Sequence, residues 1–330
     1  MSSLIQSSII QYLSATMKPG DVVLGVKPSG TPGSLSPSIV RKKDDLAGIE
    51  VGFFHLNNPA TYLSEFFLKE NQLLTKKGRY FIICKPCDAK SVQQIMADQQ
   101  LDPQRAHLVV YACEGVADMR KIKSAIGLEN DFKSVESHED KLAFTLLSGS
   151  MVTLKKNEML AQKCFNCTAN YPVSSPHVFV GDEKKWEKWV ASIHNKEPML
   201  QDQIQGSELF AQLKNELKHC IRCNACRNVC HACFCADRCI FDRPKMSVGF
   251  LEKEIALEQN LVYHMIRFYH VAPNCTACGE CERACPQAIP LSHLYRYFNQ
   301  KMQDQFGHDP GSSDKIRQVL TNYRFGEDLS

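Results

Sequence analysis

The chain has 330 residues, 44% of them hydrophobic, which is enough for two domains with cores of their own and excludes a small scaffold that needs covalent staples. Its formal charge is +3 and its Lys and Arg are scattered, so no basic stripe marks a nucleic-acid partner. No apolar run approaches the ~18 residues of a membrane span, and 16 cysteines without a secretory signal point to a reducing, cytoplasmic compartment.

Leu4, Ile5, Ile9, Ile10 and Leu13 recur at helical spacing among Ser and Gln, which predicts a surface helix. Short apolar runs then predict strands at 21–26, 49–54, 80–84, 108–113, 141–147 and 177–180. Amphipathic stretches at 60–74 and 89–97 predict helices between them, and the Gly-, Pro- and Ser-rich segment 27–37 predicts a loop. This alternation favours an α/β or α+β domain over residues 1–195. Residues 196–207 read as a linker. The rest is helical. Phe210, Leu213 and Leu217 share one face, and Leu251, Ile255, Val262, Ile266 and Tyr269 mark the apolar face of a long helix. Another helix is predicted at 291–306, before a loose polar tail at 307–330.

Two cysteine runs lie in the helical part: Cys220-x-x-Cys223-x-x-Cys226-x-x-x-Cys230 and Cys275-x-x-Cys278-x-x-Cys281-x-x-x-Cys285-Pro286. Three thiolates on one short loop wrap three corners of a cubane, and the ferredoxin rule takes the fourth from the other run. Cys220, Cys223, Cys226 and Cys285 are expected to hold one [4Fe–4S] cluster, and Cys275, Cys278, Cys281 and Cys230 the second. Zinc and disulfides compete, but zinc takes four ligands, usually as two separated pairs, whereas here eight thiols form two identical runs. An α-helical ferredoxin-like dicluster domain is therefore expected over 208–306. Each cluster with its thiolates adds about −2, so two would move the net charge from +3 to about −1 and three to about −3.

Eight thiols remain. Cys233, Cys235 and Cys239 follow the first run and read as small buried residues beside a cluster. Cys84 and Cys87 follow one predicted strand, Cys113 ends another, and Cys164 and Cys167 form a further CxxC. Sites in open α/β sheets gather at the carboxyl ends of strands. Asp88 would cap the helix after Cys87, whose N-terminus suits an anionic thiolate group. Five thiols placed this way favour a third metal centre, of iron or zinc.

The amino-terminal part resembles the beta subunits of deazaflavin-dependent hydrogenases and formate dehydrogenases. The resemblance rests on Pro86-Cys87-Asp88, Tyr111-Ala112-Cys113, and Cys164-Phe165-Asn166-Cys167 followed by Val180-Gly181-Asp182. It implies a third [4Fe–4S] cluster on Cys87, Cys113, Cys164 and Cys167, with Cys84 as a substitute ligand, and it leaves FAD beside that cluster as an open alternative. The whole chain is similar to the A subunit of anaerobic sulfite reductases and to hydrogenase beta subunits, a match that covers most of 79–290. The long helix between the runs resembles the α-helical ferredoxin domains of respiratory iron–sulfur subunits.

No catalytic constellation stands out: His231, His264 and His270 read as structural. The expected function is an electron-transfer subunit of a multisubunit cytoplasmic anaerobic oxidoreductase, working between a flavoprotein partner and a catalytic partner. The alternative is a flavin-binding module that itself oxidises a nicotinamide or deazaflavin coenzyme. Arg222, Arg227, Arg238 and Arg283, near the cluster loops, are candidates for tuning cluster potentials or for docking.

Overall fold

The computed structural model describes residues 2–63, 78–138, 140–167, 177–193, 206–233, 239, 241 and 255–312. Its strands are β1 (Val22–Pro28), β2 (Leu35–Val40), β3 (Tyr80–Cys84), β4 (Ala106–Tyr111), β5 (Phe132–Ser137), β6 (Lys141–Leu146), β7 (Met151–Lys155) and β8 (His177–Val180). The main sheet has the order β2-β1-β3-β4-β8 and is parallel except for β2, which pairs antiparallel with β1 at the edge. Strands β5, β6 and β7 form a separate antiparallel meander.

Both faces of the main sheet are covered, as its unbroken apolar strands require. On one face Val23, Phe81, Ile83, Val109 and Tyr111 pack against Ile5, Ile9 and Leu13 of α1 (Ser2–Thr16). The opening helix, expected on the surface, is thus a wall of the core. On the other face Leu24, Ile82, Leu108 and Val110 meet α2 (Pro86–Ala97). A third core lies between the meander and α3 (Met119–Ile126), while α4 (Glu183–Ile193) returns Trp186 and Val190 to the α1 side.

Three local expectations change. Segment 49–54 is not a strand. It follows a 3₁₀ turn at Lys43–Gly48 and crosses between cores, placing Ile49 and Val51 in one and Phe53 and Phe54 in another. Its apolar run therefore reflects two burials and no ladder. Segment 27–37 is not all loop: β1 runs to Pro28 and β2 starts at Leu35. Pro37 is tolerated there because β2 is an edge strand. Of the helix expected at 60–74, a 3₁₀ turn at Pro59–Tyr62 is present, and 64–77 lies outside the described residues. Most of the predicted linker, at 196–205, lies outside them too.

The cysteine-rich half comprises α5 (Gly206–Leu217), α6 (Ala225–Asn228), α7 (Leu257–Val271), α8 (Glu280–Ala284) and α9 (Leu291–Phe306). Leu213, Leu217, Phe268, Val271, Leu291, Leu294 and Tyr295 form its core around Cys220, Cys226, Cys275 and Cys285. On α7 the periodic stripe selects the wrong face. Ile255, Val262 and Tyr269 are exposed and Leu251 lies outside the described residues, whereas Asn260, Tyr263, His264, Arg267 and Phe268 are buried. Polar side chains face inward because the cysteine loops, not hydrocarbon, lie beneath them.

Polar contacts join the two halves. Ser91 of α2 shares a 2.7 Å hydrogen bond with Thr276. Arg120 of α3 donates to the carbonyls of Glu282, Arg283 and Cys285. Residues after α9 turn back over α2: Lys90 pairs with Asp309 at 2.6 Å, Gly311 N donates to Gln94, and buried His308 holds Pro273 O.

Candidate metal centres

The two cysteine runs adopt the same backbone. Arg222 and Asn224 in the first run have φ of 47° and 62°, and the equivalent Ala277 and Gly279 in the second have 54° and 72°. Left-handed residues are unfavourable outside Gly and Asn, so Arg222 and Ala277 stand there because the loop shape demands it. That shape turns backbone N–H groups inward: Arg222 N donates to Cys220 Sγ at 3.4 Å, and Ala277 makes the same bond to Cys275.

The loops bring the thiols together in crossed sets. Burial raises the Cys220 and Cys226 thiols, and each also feels Cys223 and Cys285. Cys230 of the first run feels Cys275 and Cys278 of the second, as Cys281 does. Burial pushes Cys275 up to about 12. Thiols this buried are protonated when free, and coordination to a metal ion is what deprotonates them. Among the described residues no three His, Cys, Asp or Glu converge on a single-ion site. Cubane ligands each bond a different corner iron and stand further apart.

The inward face of α7 lies against the first set. His264 Nε2 is 3.3 Å from Cys220 Sγ, and burial pushes this imidazole down to about 3, so it is neutral. Asn260 Nδ2 donates to Leu217 O and Cys220 O, and Tyr263 OH to Asn224 Oδ1. Arg267 donates to Cys226 Sγ at 3.0 Å. Of the arginines picked from the sequence, Arg283 is tied to Glu280 at 2.7 Å, Arg222 is half-buried within its loop, and Arg238 lies outside the described residues together with Cys235. Cys233 is near Cys230, and Cys239 is buried.

The third group forms at the carboxyl ends of β3 and β4. Pro86 opens α2 at its first helical position, and Cys87 follows beside the free N–H groups of the first turn. Asp88 is not the N-cap. It sits three positions further in, accepts from Lys85 N, and pairs with Lys85 Nζ at 2.5 Å. Burial raises the Cys113 thiol, with Cys164 and Cys167 adding to the rise; Cys87 likewise feels Cys167. Cys164 Sγ accepts from Val116 N. Cys84 stands on the opposite face of β3, fully buried among Val22, Leu24, Ala89 and Val92.

A cavity of about 460 Å³ opens among these thiols, and its far wall belongs to the other half of the chain: Thr276, Ala277, Cys278, Arg296 and Asn299. Lys163 also lines it and pairs with buried Glu280 at 2.9 Å. The approach is close. A Cβ on Gly279 would come within 2.8 Å of Lys163 Cβ. Lys163 thus stands between Cys87 and Cys278, and both thiols feel its charge. A second cavity of about 660 Å³ shares Cys113 and is lined by Trp186, Trp189, Lys155, Lys156 and Lys185.

Sequence reasoning missed Lys85, Lys163 and Arg267. Lys163 directly precedes a CxxC, a signal that could have flagged it. Arg267 lies in the middle of α7, outside every sequence motif, and could be found only by asking which helix face meets the cysteine loops.

Residues 216–289 match the family of 4Fe-4S dicluster domains, so this stretch is an iron–sulfur domain. The chain is also similar to the F420-dependent formate dehydrogenase subunit beta of Methanocaldococcus jannaschii. The two are 32% identical over 104 residues, 31% of this chain and 26% of that protein. The F420-dependent formate dehydrogenase 1 subunit beta of Methanococcus maripaludis is 30% identical over 101 residues, 31% of this chain and 24% of that protein. The chain thus spans about a quarter of the length of these relatives. A solved structure of the F420-reducing [NiFe] hydrogenase complex from Methanosarcina barkeri aligns with a TM-score of 0.37 and 12% identity, over 66% of this chain and 86% of that one. Among the described residues no helix is long and apolar enough to cross a membrane.

Proposed function

We propose that the chain is an iron–sulfur electron-transfer subunit of an oxidoreductase complex. Cys220, Cys223, Cys226 and Cys285 would hold one [4Fe–4S] cluster, Cys230, Cys275, Cys278 and Cys281 a second, and Cys87, Cys113, Cys164 and Cys167 a third. Bound clusters of this type supply one-electron storage and transfer. The chain's own residues set the sites' order and surroundings. The observation that carries the reading is the shared wall of the third cavity, where Cys278 of the second set faces Cys87 and Cys167. Backbone N–H groups and buried cations point at the sulfurs, and both favour the more negative, reduced state.

The partners on this reading are a flavoprotein and a catalytic subunit. Formate fits the named relatives as the terminal substrate, and sulfite fits the resemblance to anaerobic sulfite reductases. A second reading, with FAD on this chain, is favoured by the 660 Å³ cavity beside Cys113. Its two Trp rings suit a planar ring system and its three Lys suit phosphate. Gly181 lines it at φ 120°, where a Cβ would come within 2.6 Å of Ala112 Cβ.

The test is anaerobic purification with iron and flavin quantitation and identification of co-eluting subunits. Three clusters give about twelve irons per chain and two give about eight. Cys167→Ser should lose about four irons while Cys84→Ser loses none. About eight irons in the unmodified chain would remove the third cluster, and released flavin with no flavoprotein partner would favour the second reading.

A further inference from the structure

Arg267 is a buried cation without a carboxylate. It is 1% exposed. Nη1 donates to Cys226 Sγ at 3.0 Å and Nη2 to Cys226 O at 3.2 Å. The rings of Tyr263 and Tyr295 flank the guanidinium at 5.8 Å each, and Nε has no hydrogen-bond partner. Among the described residues no Asp or Glu forms an ion pair with it, and the groups that act on it most are Tyr295, Cys226, Cys230 and Tyr263. Two other deeply buried cations near the thiols differ: Lys85 is paired with Asp88 and Lys163 with Glu280.

A buried charge left unpaired is costly, so such groups occur beside a counter-ion. The sulfurs in reach of Arg267 come from both ferredoxin-type sets: Cys226 from the first, and Cys230, Cys275 and Cys281 from the second, all of which feel its charge. We propose that Arg267 is the shared counter-ion of both clusters and the residue that holds their reduction potentials up. The inference rests on the cluster assignment above. One-electron reduction, with the electron supplied by the partner subunit, adds one negative charge to a cluster. A fixed cation at hydrogen-bond distance from one ligand stabilises that charge, and burial keeps salt from screening it. One residue that bonds a ligand of the first set and whose charge reaches the second moves both potentials in the same direction.

The experiment is an EPR-monitored redox titration of the full anaerobic chain, with iron quantitation, for Arg267→Gln and Arg267→Lys. Arg267→Gln should lower the reduced-to-oxidised ratio of both clusters at least tenfold at fixed potential, a shift of 59 mV for one electron. Arg267→Lys should shift them less. Unchanged midpoints in an iron-replete Arg267→Gln protein would overturn the proposal. If Arg267→Gln loses iron, retention in Arg267→Lys supports a requirement for charge, and loss in both overturns it in favour of guanidinium shape. Absence of iron from the unmodified chain would instead sink the cluster assignment itself.

Discussion

Removing Lys163 probes the seam between the halves. Its ammonium is 2.9 Å from Glu280 Oε1, with side-chain exposures of 8% and 2%. At an effective dielectric of about 20 the gross attraction at that distance is about 6 kcal/mol, most of it offset by desolvation. Breaking a buried pair by deleting one partner costs about 3–5 kcal/mol because the other charge stays buried. Arg283 still reaches Glu280 at 2.7 Å and is 31% exposed, so Lys163→Met should fall at the low end, about 3 kcal/mol. Adding Glu280→Gln removes the stranded carboxylate and should return the chain to within about 1 kcal/mol of its original stability, about 2 kcal/mol above Lys163→Met alone. Anaerobic urea unfolding, followed by far-ultraviolet circular dichroism and cluster absorbance, measures all corners of the cycle. A single-variant cost below about 1 kcal/mol, or additive effects, would refute the reasoning.

Asp98 closes α2, where burial pushes its carboxyl up from 3.8 to about 6 despite a hydrogen bond from Gln94. The folded state therefore holds this proton more tightly than the unfolded state, and stability falls as pH rises from about 4 through about 6. Asp98→Asn should stabilise the chain by about 1–2 kcal/mol at pH 7.5, a gain that shrinks as pH drops through 6; an equal gain at pH 5 would contradict this. Ile9→Ala, at a fully buried position of α1, should cost about 2–5 kcal/mol by urea unfolding, whereas a surface helix would show less than about 0.5 kcal/mol. Gly311 has φ 73°, and a Cβ there would meet Lys90 O at 2.3 Å. Gly311→Ala should speed amide exchange at Gln94 and Gly311 itself, and unchanged protection would show that the turn over α2 absorbs the methyl group.

The two cysteine runs were legible because both repeat one spacing, and in the fold they share one backbone shape and one core. The parallel strands were legible where both faces are apolar, as at β3 and β4. Of the meander only β6 was: β5 and β7 keep one face exposed, so Phe132–Ser137 and Met151–Lys155 carry too few apolar residues to stand out. Alpha-helix α7 misled for the opposite reason. Its Val262 and Tyr269 are outside and its Asn260, His264 and Arg267 are inside, because a cysteine loop rewards hydrogen-bond donors. The buried lysines were invisible because their partners, Asp88 for Lys85 and Glu280 for Lys163, are set by the fold.

The wall that Thr276, Ala277, Cys278, Arg296 and Asn299 contribute to the third thiol cavity has a consequence for biosynthesis. Cys87, Cys113, Cys164 and Cys167 leave the ribosome long before that wall exists. Until residue 299 has been translated and docked, the cavity lacks that wall. On the three-cluster proposal, insertion of iron and sulfide at the amino-terminal site would have a time window, closing when the carboxyl-terminal half folds over it. A chain stalled before α9 would offer its assembly machinery an open third site, and a finished chain would offer it a covered one.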